Sequence, residues 1–221
     1  MTTLSSAPVA PLLARLFAES DANPPAASPA FAGMTAEDHR AMMRSKTDYR
    51  AFYAKLSDFA LPVTRDVGTL LYMLARATRA TSIVEFGTSF GLSTLHLAAA
   101  LRDNGGGRII TSEFEPAKLA RAKAHLAEGG LADLVEFREG DALETLATDL
   151  PPTIDLLLLD GAKALYSDIL DRVESRLRPG AILVADNADY CPEYLERVGT
   201  VANGYMSMPF SDEVELSIRL G

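Results

Sequence analysis

From residue 82 onward, short apolar runs alternate with segments whose apolar residues recur every three or four positions. Residues 82–86, 108–112, 134–138, 154–159 and 181–185 have the length and composition of buried strands. Between them lie predicted helices over 92–101, 116–128 (opened by Pro116) and 142–147. Leu165, Ile169, Val173 and Leu177 repeat every fourth residue, which predicts an amphipathic helix ended by Pro179-Gly180. A short helix over 192–198 follows. Strands alternating with helices imply βαβ units, a parallel sheet and right-handed crossovers. The last two predicted strands, about 201–206 and 214–220, are too close for a crossover and read as an antiparallel edge hairpin. The expected fold class is α/β: a seven-stranded, mostly parallel sheet with helices on both faces.

The N-terminal third has a different texture. Residues 1–33 are rich in Ala, Pro and Ser, with room for one short helix over 11–20 and an irregular stretch over 23–33. This stretch reads as an arm, mobile or packed on a partner, and residues 34–221 as a single domain. Its amphipathic part makes a homodimer the expected assembly. Thr35-Ala36-Glu37-Asp38 is a helix start with acids in the first turn, predicting a helix to about Leu56. A second helix is expected over 64–78, with Val67, Leu70, Leu71 and Leu74 on one face.

At 221 residues, 48% hydrophobic and 23% charged, the chain has a globular composition, not a disordered or fibrous one. Its 21 basic and 30 acidic residues leave a net charge of −9, a field that disfavours nucleic acid as a bulk partner. Cys191 is the one cysteine, so no disulfide staples the fold and a reducing compartment is expected. No apolar run reaches the roughly 18 residues of a membrane span, and Met1–Ala10 lacks the basic start of a secretory signal. The expected location is the cytoplasm.

In such sheets ligands bind beyond the carboxyl ends of the strands, so the residues there are the ones to question. The first strand runs into Glu85-Phe86-Gly87-Thr88-Ser89-Phe90-Gly91, whose glycines permit a tight turn close to a ligand. The G-x-x-x-G spacing is not the G-x-G-x-x-G of a dinucleotide cradle. Glu113 closes the second strand, where a carboxylate can accept hydrogen bonds from ribose hydroxyls. Gly140-Asp141-Ala142 follows the third, suited to the amine of a base edge. Helix capping would also account for Glu113 and Asp141. Three such elements in a row point to a nucleoside pocket.

Asp160 ends the fourth strand and Asp186-Asn187 the fifth. Neighbouring strands lie about 4.8 Å apart, so two carboxylates and an amide oxygen can meet at one point. That is a hard donor set for Mg²⁺, while zinc would call for His or Cys. Capping by Asp160 and an Asx turn at Asp186-Asn187 are the alternative. Lys163 falls in the first turn of the next helix, an unfavourable place for a cation unless carboxylates or substrate hold it. A divalent ion and burial would lower its pKa toward that of a usable base. His39, His96 and His125 lie in predicted helices and read as structural or exposed. Tyr166 and Tyr190 flank the two acidic loops and could wall an acceptor pocket or simply pack.

The ordered set Val84-Glu85-Phe86-Gly87, Ser112-Glu113, Gly140-Asp141-Ala142, Leu159-Asp160-Gly161-Ala162-Lys163 and Ala185-Asp186-Asn187 resembles the class I S-adenosylmethionine-dependent O-methyltransferases. Within them it is similar to the cation-dependent catechol and caffeoyl-CoA group, over about residues 60–221. The resemblance implies a Rossmann-like methyltransferase fold. It implies S-adenosylmethionine held by Val63, Glu85, Gly87, Thr88, Ser89, Gly91, Ser93, Glu113, Asp141, Ala142 and Asp160. It also implies a divalent ion, Mg²⁺ or another, on Asp160, Asp186 and Asn187, with Lys163 as the base. Ala162 and Ala164-Leu165 depart from the family, which commonly carries polar residues there.

The expected reaction is methyl transfer to a hydroxyl beside a second oxygen on a small catechol-like acceptor, a reaction driven by orientation and electrostatics. An RNA nucleoside hydroxyl is the rival acceptor, for which Arg40, Arg44, Lys46 and Arg50 form the only basic cluster. A non-catalytic nucleoside-binding module would need no metal set at all.

Overall fold

The computed structural model describes residues 1–221. Strands β1 (Ser82–Phe86), β2 (Arg108–Glu113), β3 (Val135–Glu139), β4 (Ile154–Leu159), β5 (Leu177–Asp186), β6 (Tyr205–Pro209) and β7 (Val214–Arg219) form one sheet, in the order β3-β2-β1-β4-β5-β7-β6. The first five are parallel, and β7 inserts antiparallel between β5 and the edge strand β6. Register sets the functional edge. Phe86 is level with Ser112 and Leu159, and Leu159 with Ala185. Gly87, Glu113, Asp160 and Asp186 therefore stand in a row, one residue beyond.

Helix α5 (Leu92–Asn104) is buried on every side from Leu92 to Leu101. A helix that is apolar all round needs cover on its far face as well as the sheet beneath it. That cover comes from α4 (Arg65–Ala77) and α1 (Val9–Ala22). Val9, Leu12, Leu13, Leu16 and Phe17 of α1 are buried in the same core as Leu95, Leu101 and Leu126 of α6 (Pro116–Glu128). The N-terminal segment is thus packed on its own chain through α1, whose apolar face is spent there. A dimer joined through that face loses its basis. Residues 25–27 and 29–31 form 3-10 turns, not irregular chain. Leu16→Ala is expected to cost about 2–5 kcal/mol of stability, the usual result of truncating a packed leucine, read as a lower denaturant midpoint. A midpoint equal to the wild type's would return the segment to a loose appendage.

The second core packs α8 (Tyr166–Val173) and α9 (Pro192–Val198) on the other face. The short α7 (Ala142–Thr145) closes it near the cavity edge. Three expectations of length are corrected. The helix from Thr35 is two: α2 (Ala36–Met43) and α3 (Tyr49–Ala54). Ser45 Oγ accepts from the Asp48 amide at 3.0 Å and breaks the ladder between them. Leu177, read as the helix's last apolar repeat, instead pairs with Ile154, so Pro179 and Gly180 lie inside β5. The strand expected over 201–206 begins only at Tyr205, after Gly204 (φ +83) turns the chain. No helix is long and apolar enough to cross a membrane.

Candidate active site

Two cavities open along the carboxyl edge of the sheet, and they share the Asp160-Gly161 turn, Tyr53 and Leu61. The first spans about 620 Å³, its open mouth included. Its floor is the β1 turn, where Gly87 has φ +102 and a Cβ would lie 2.6 Å from the Asp160 carbonyl oxygen. Only glycine fits there. Ser89, also left-handed (φ +47), donates its amide to Glu113 Oε2 at 2.8 Å and accepts the Leu61 amide on Oγ at 3.0 Å. The Glu115 amide donates to Glu113 Oε1 at 3.0 Å. Burial pushes the Glu113 carboxyl up, and these amides pull against that shift. Each oxygen keeps lone pairs for a ligand.

Asp141 caps α7, its Oδ1 accepting the Leu143 amide at 3.0 Å. Its Oδ2 is paired with Arg50 and lies 3.4 Å from the Tyr49 hydroxyl, which folds α3 over the cavity. Asp141 thus caps its helix and also lines the cavity. Lys46 is likewise paired, with Asp168 at 2.7 Å and Glu193 at 2.6 Å, and Arg44 donates to the Asp189 carbonyl at 3.1 Å. Three of the four cations considered for RNA thus spend their charge inside the chain.

The second cavity is larger, about 1360 Å³ and open to solvent. Asp160, Lys163, Asp186 and Asn187 form its charged floor, and Pro24, Pro25 and Phe31 from the N-terminal segment its roof. Lys163 Nζ lies 2.7 Å from Asp160 Oδ1 and 3.3 Å from Asp186 Oδ2. Burial works against that charge, but Asp160, Tyr166 and Asp186 outweigh it and hold the ammonium well above the ordinary lysine range. Without a divalent ion the two strand-end carboxylates converge on the lysine itself, so the lowered pKa expected beside such an ion would require the ion to take them from it. Nowhere in the chain do three His, Cys, Asp or Glu side chains converge as a metal cluster. A cation here would need the Asn187 amide oxygen as third donor. The donors still suit one, being hard oxygens that already reach a common cation.

The chain matches the model of the methyltransferase domain family over residues 84–188, from within β1 to just past the Asp186-Asn187 turn. It is 34% identical to the catechol O-methyltransferase of Niastella koreensis over 131 residues, 58% of either chain. The chain thus spans less than two thirds of that relative. A methyltransferase from Geobacter sulfurreducens has a TM-score of 0.64 at 26% identity, covering 94% of this chain and 96% of that one. An O-methyltransferase from Streptomyces achromogenes, solved in complex with S-adenosylmethionine, gives 0.62 at 25% identity over 86% and 94%. Over its central part the chain is similar to S-adenosylmethionine-dependent O-methyltransferases.

The expected site residues sort by position. Gly87, Ser89, Glu113, Asp141, Ala142 and Asp160 line the first cavity; Asp160, Lys163, Asp186 and Asn187 line the second. Five others lie behind the wall. Glu85 is 0% exposed, its carboxylate taken by the hydroxyls of Ser93, Thr94 and Thr111, each at 2.6 Å. Ser93 is therefore spent on Glu85, and Thr88 on Thr111 at 2.6 Å. Gly91 (φ +84) opens α5 against Leu126, and Val63 is a core residue. These five shape the turn that carries Gly87 and Ser89 without lining the cavity.

His96 and His125 are structural, bonded through Nδ1 to the carbonyls of Leu92 and Phe90 at 2.8 Å. His39 is not: it lines the second cavity beside Phe31 and Tyr190. Tyr166 is core, its hydroxyl donating to the Asp186 carbonyl at 2.6 Å. Sequence reasoning also passed over Tyr53, Lys118 and Glu213, which line one cavity or both. Lys118 was legible as a second cation in the first turn of a helix at the sheet's functional edge. Glu113→Ala is expected to weaken S-adenosylmethionine binding by about 1–3 kcal/mol, the cost of losing bonds to a charged acceptor. Unchanged affinity by calorimetry would remove Glu113 from the site.

Proposed function

We propose that the chain transfers a methyl group from S-adenosylmethionine to one hydroxyl of a small acceptor carrying a second adjacent oxygen, a catechol being the simplest. The observation that carries this reading is that the two cavities meet at Asp160-Gly161 with the Lys163 ammonium on the far side. S-adenosylmethionine bound in the first cavity would supply an electrophilic methyl, and a divalent ion held by Asp160, Asp186 and Asn187 would supply charge neutralisation for two adjacent oxygens. Glu113 would hold the ribose, and the Asp141-Ala142 turn the base edge. Phe31, His39 and Tyr190 offer a flat ring an aromatic wall. Lys163 Nζ is an ammonium while Asp160 and Asp186 pair with it, and it could take the acceptor's proton only where a divalent ion on those carboxylates takes them from it.

An RNA acceptor is disfavoured because Arg44, Lys46 and Arg50 are engaged within the chain. A module that only binds a nucleoside has no use for the charged floor of the second cavity. The test is methyl transfer from labelled S-adenosylmethionine to a panel of catechols and RNAs, with and without EDTA. Catechol methylation that EDTA suppresses is the expected result. Cofactor binding with no transfer to any acceptor would favour the binding module.

A further inference from the structure

Lys118 lies in the first cavity, and the function proposed above does not use it. It is the third residue of α6, only 3% exposed, with Nζ 5.9 Å from the centroid of the Phe90 ring. The ammonium has no hydrogen bond or ion pair inside the chain. Glu113, Glu115 and Asp160 attract it from beyond contact distance, Arg121 repels it, and burial pulls its pKa down to about 8. The first turn of a helix adds the positive end of the dipole. A buried cation at the wrong end of a helix has a missing partner, and the cavity it lines is where a ligand can supply one.

The neighbour that faces the same space narrows the ligand. Glu113 accepts one backbone amide on each oxygen and can accept only hydrogens from a ligand. A phosphate or carboxylate would suit Lys118 but would meet the Glu113 charge. A vicinal diol suits both, because each hydroxyl donates one hydrogen and accepts another.

We propose that Lys118 is a specificity-determining residue that donates to the ribose hydroxyl oxygens of the cofactor while Glu113 accepts their hydrogens. This rests on the cofactor reading above. It makes the first cavity selective for an intact ribose through a cation as well as a carboxylate.

The test titrates the full chain with S-adenosylhomocysteine and with its 2′,3′-dideoxy counterpart. Lys118→Met is expected to lose roughly tenfold or more in affinity for the ribose ligand, the scale of a hydrogen bond to a charged group, and nothing for the dideoxy one. Lys118→Arg should retain most of the preference. The ligand-free Lys118→Met protein should melt no lower than the wild type, since it has lost an unpaired buried charge; a merely structural lysine would lower the melting temperature. A second measurement needs no variant. The wild-type preference for ribose should fall between pH 7 and 9 as Lys118 loses its proton, and both ligands share the same amino-acid end, so their ratio isolates the ribose. An unchanged ratio in Lys118→Met, or a pH-independent ratio in the wild type, overturns the proposal. Failure of the wild type to bind S-adenosylhomocysteine at all would instead overturn the cofactor reading.

Discussion

Replacing Lys163 by alanine is expected to lower kcat by about 10²–10⁴-fold, the usual contribution of a positioned base. Lys163→Arg should not restore it, since a guanidinium stays protonated and cannot accept the acceptor's proton. Cofactor affinity should barely move, because Lys163 lines the second cavity and not the first. Structural and catalytic losses have to be separated. Lys163 is also the counter-ion of two buried carboxylates, and removing one partner of such a set costs about 3–5 kcal/mol of stability. The two effects differ in pH dependence. With its folded pKa raised above the unfolded value, Lys163 contributes stability that is constant through neutral pH and lost only above the ordinary lysine range. A catalytic deficit should shrink as pH rises, because the acceptor hydroxyl then ionises with water as base. Stability and kcat curves measured from pH 6 to 9 decide the matter. A variant that is destabilised but has full kcat throughout would leave Lys163 a counter-ion.

That dual role shows where the sequence was legible and where it was not. Apolar runs mark β1, β2 and β4 closely, because a strand buried on both faces admits little else. With the strand ends fixed, the row of Gly87, Glu113, Asp160 and Asp186 follows from register. Partners of a side chain do not follow. Glu85 sits in the same motif as Gly87, yet it points into a cage of hydroxyls contributed by β2 and α5. Nothing in its neighbours along the chain encodes that direction. The α8 repeat overran its helix because periodicity counts Leu177 whether it packs from a helix or pairs with Ile154. The proline-rich start looked like an appendage because what α1 covers is eighty residues away in α5, whose all-round burial demands a lid. His39 is the same failure at the site. Only the roof formed by the N-terminal segment turns a half-buried helix residue into a cavity wall.

Removing divalent ions with EDTA is expected to lower kcat by about 10²–10³-fold, the several kcal/mol of charge stabilisation a Lewis acid supplies, at about 1.4 kcal/mol per decade. Asp186→Ala should do the same and leave S-adenosylhomocysteine affinity unchanged, since Asp186 borders only the second cavity. Asp160→Ala should lose both activity and cofactor affinity, because Asp160 borders the two cavities at once. This asymmetry between two carboxylates that bond the same ammonium is set by strand position, β4 lying beside β1 and β5 one strand further out. The decisive comparison sets EDTA against Asp186→Ala. Equal losses mean the carboxylate acts through a bound cation. Full turnover in EDTA with turnover lost in Asp186→Ala would mean that the carboxylates act through Lys163 alone. The ammonium that Asp160 and Asp186 share would then be the only cation the site employs, and the chain would stand apart from the cation-dependent group it resembles.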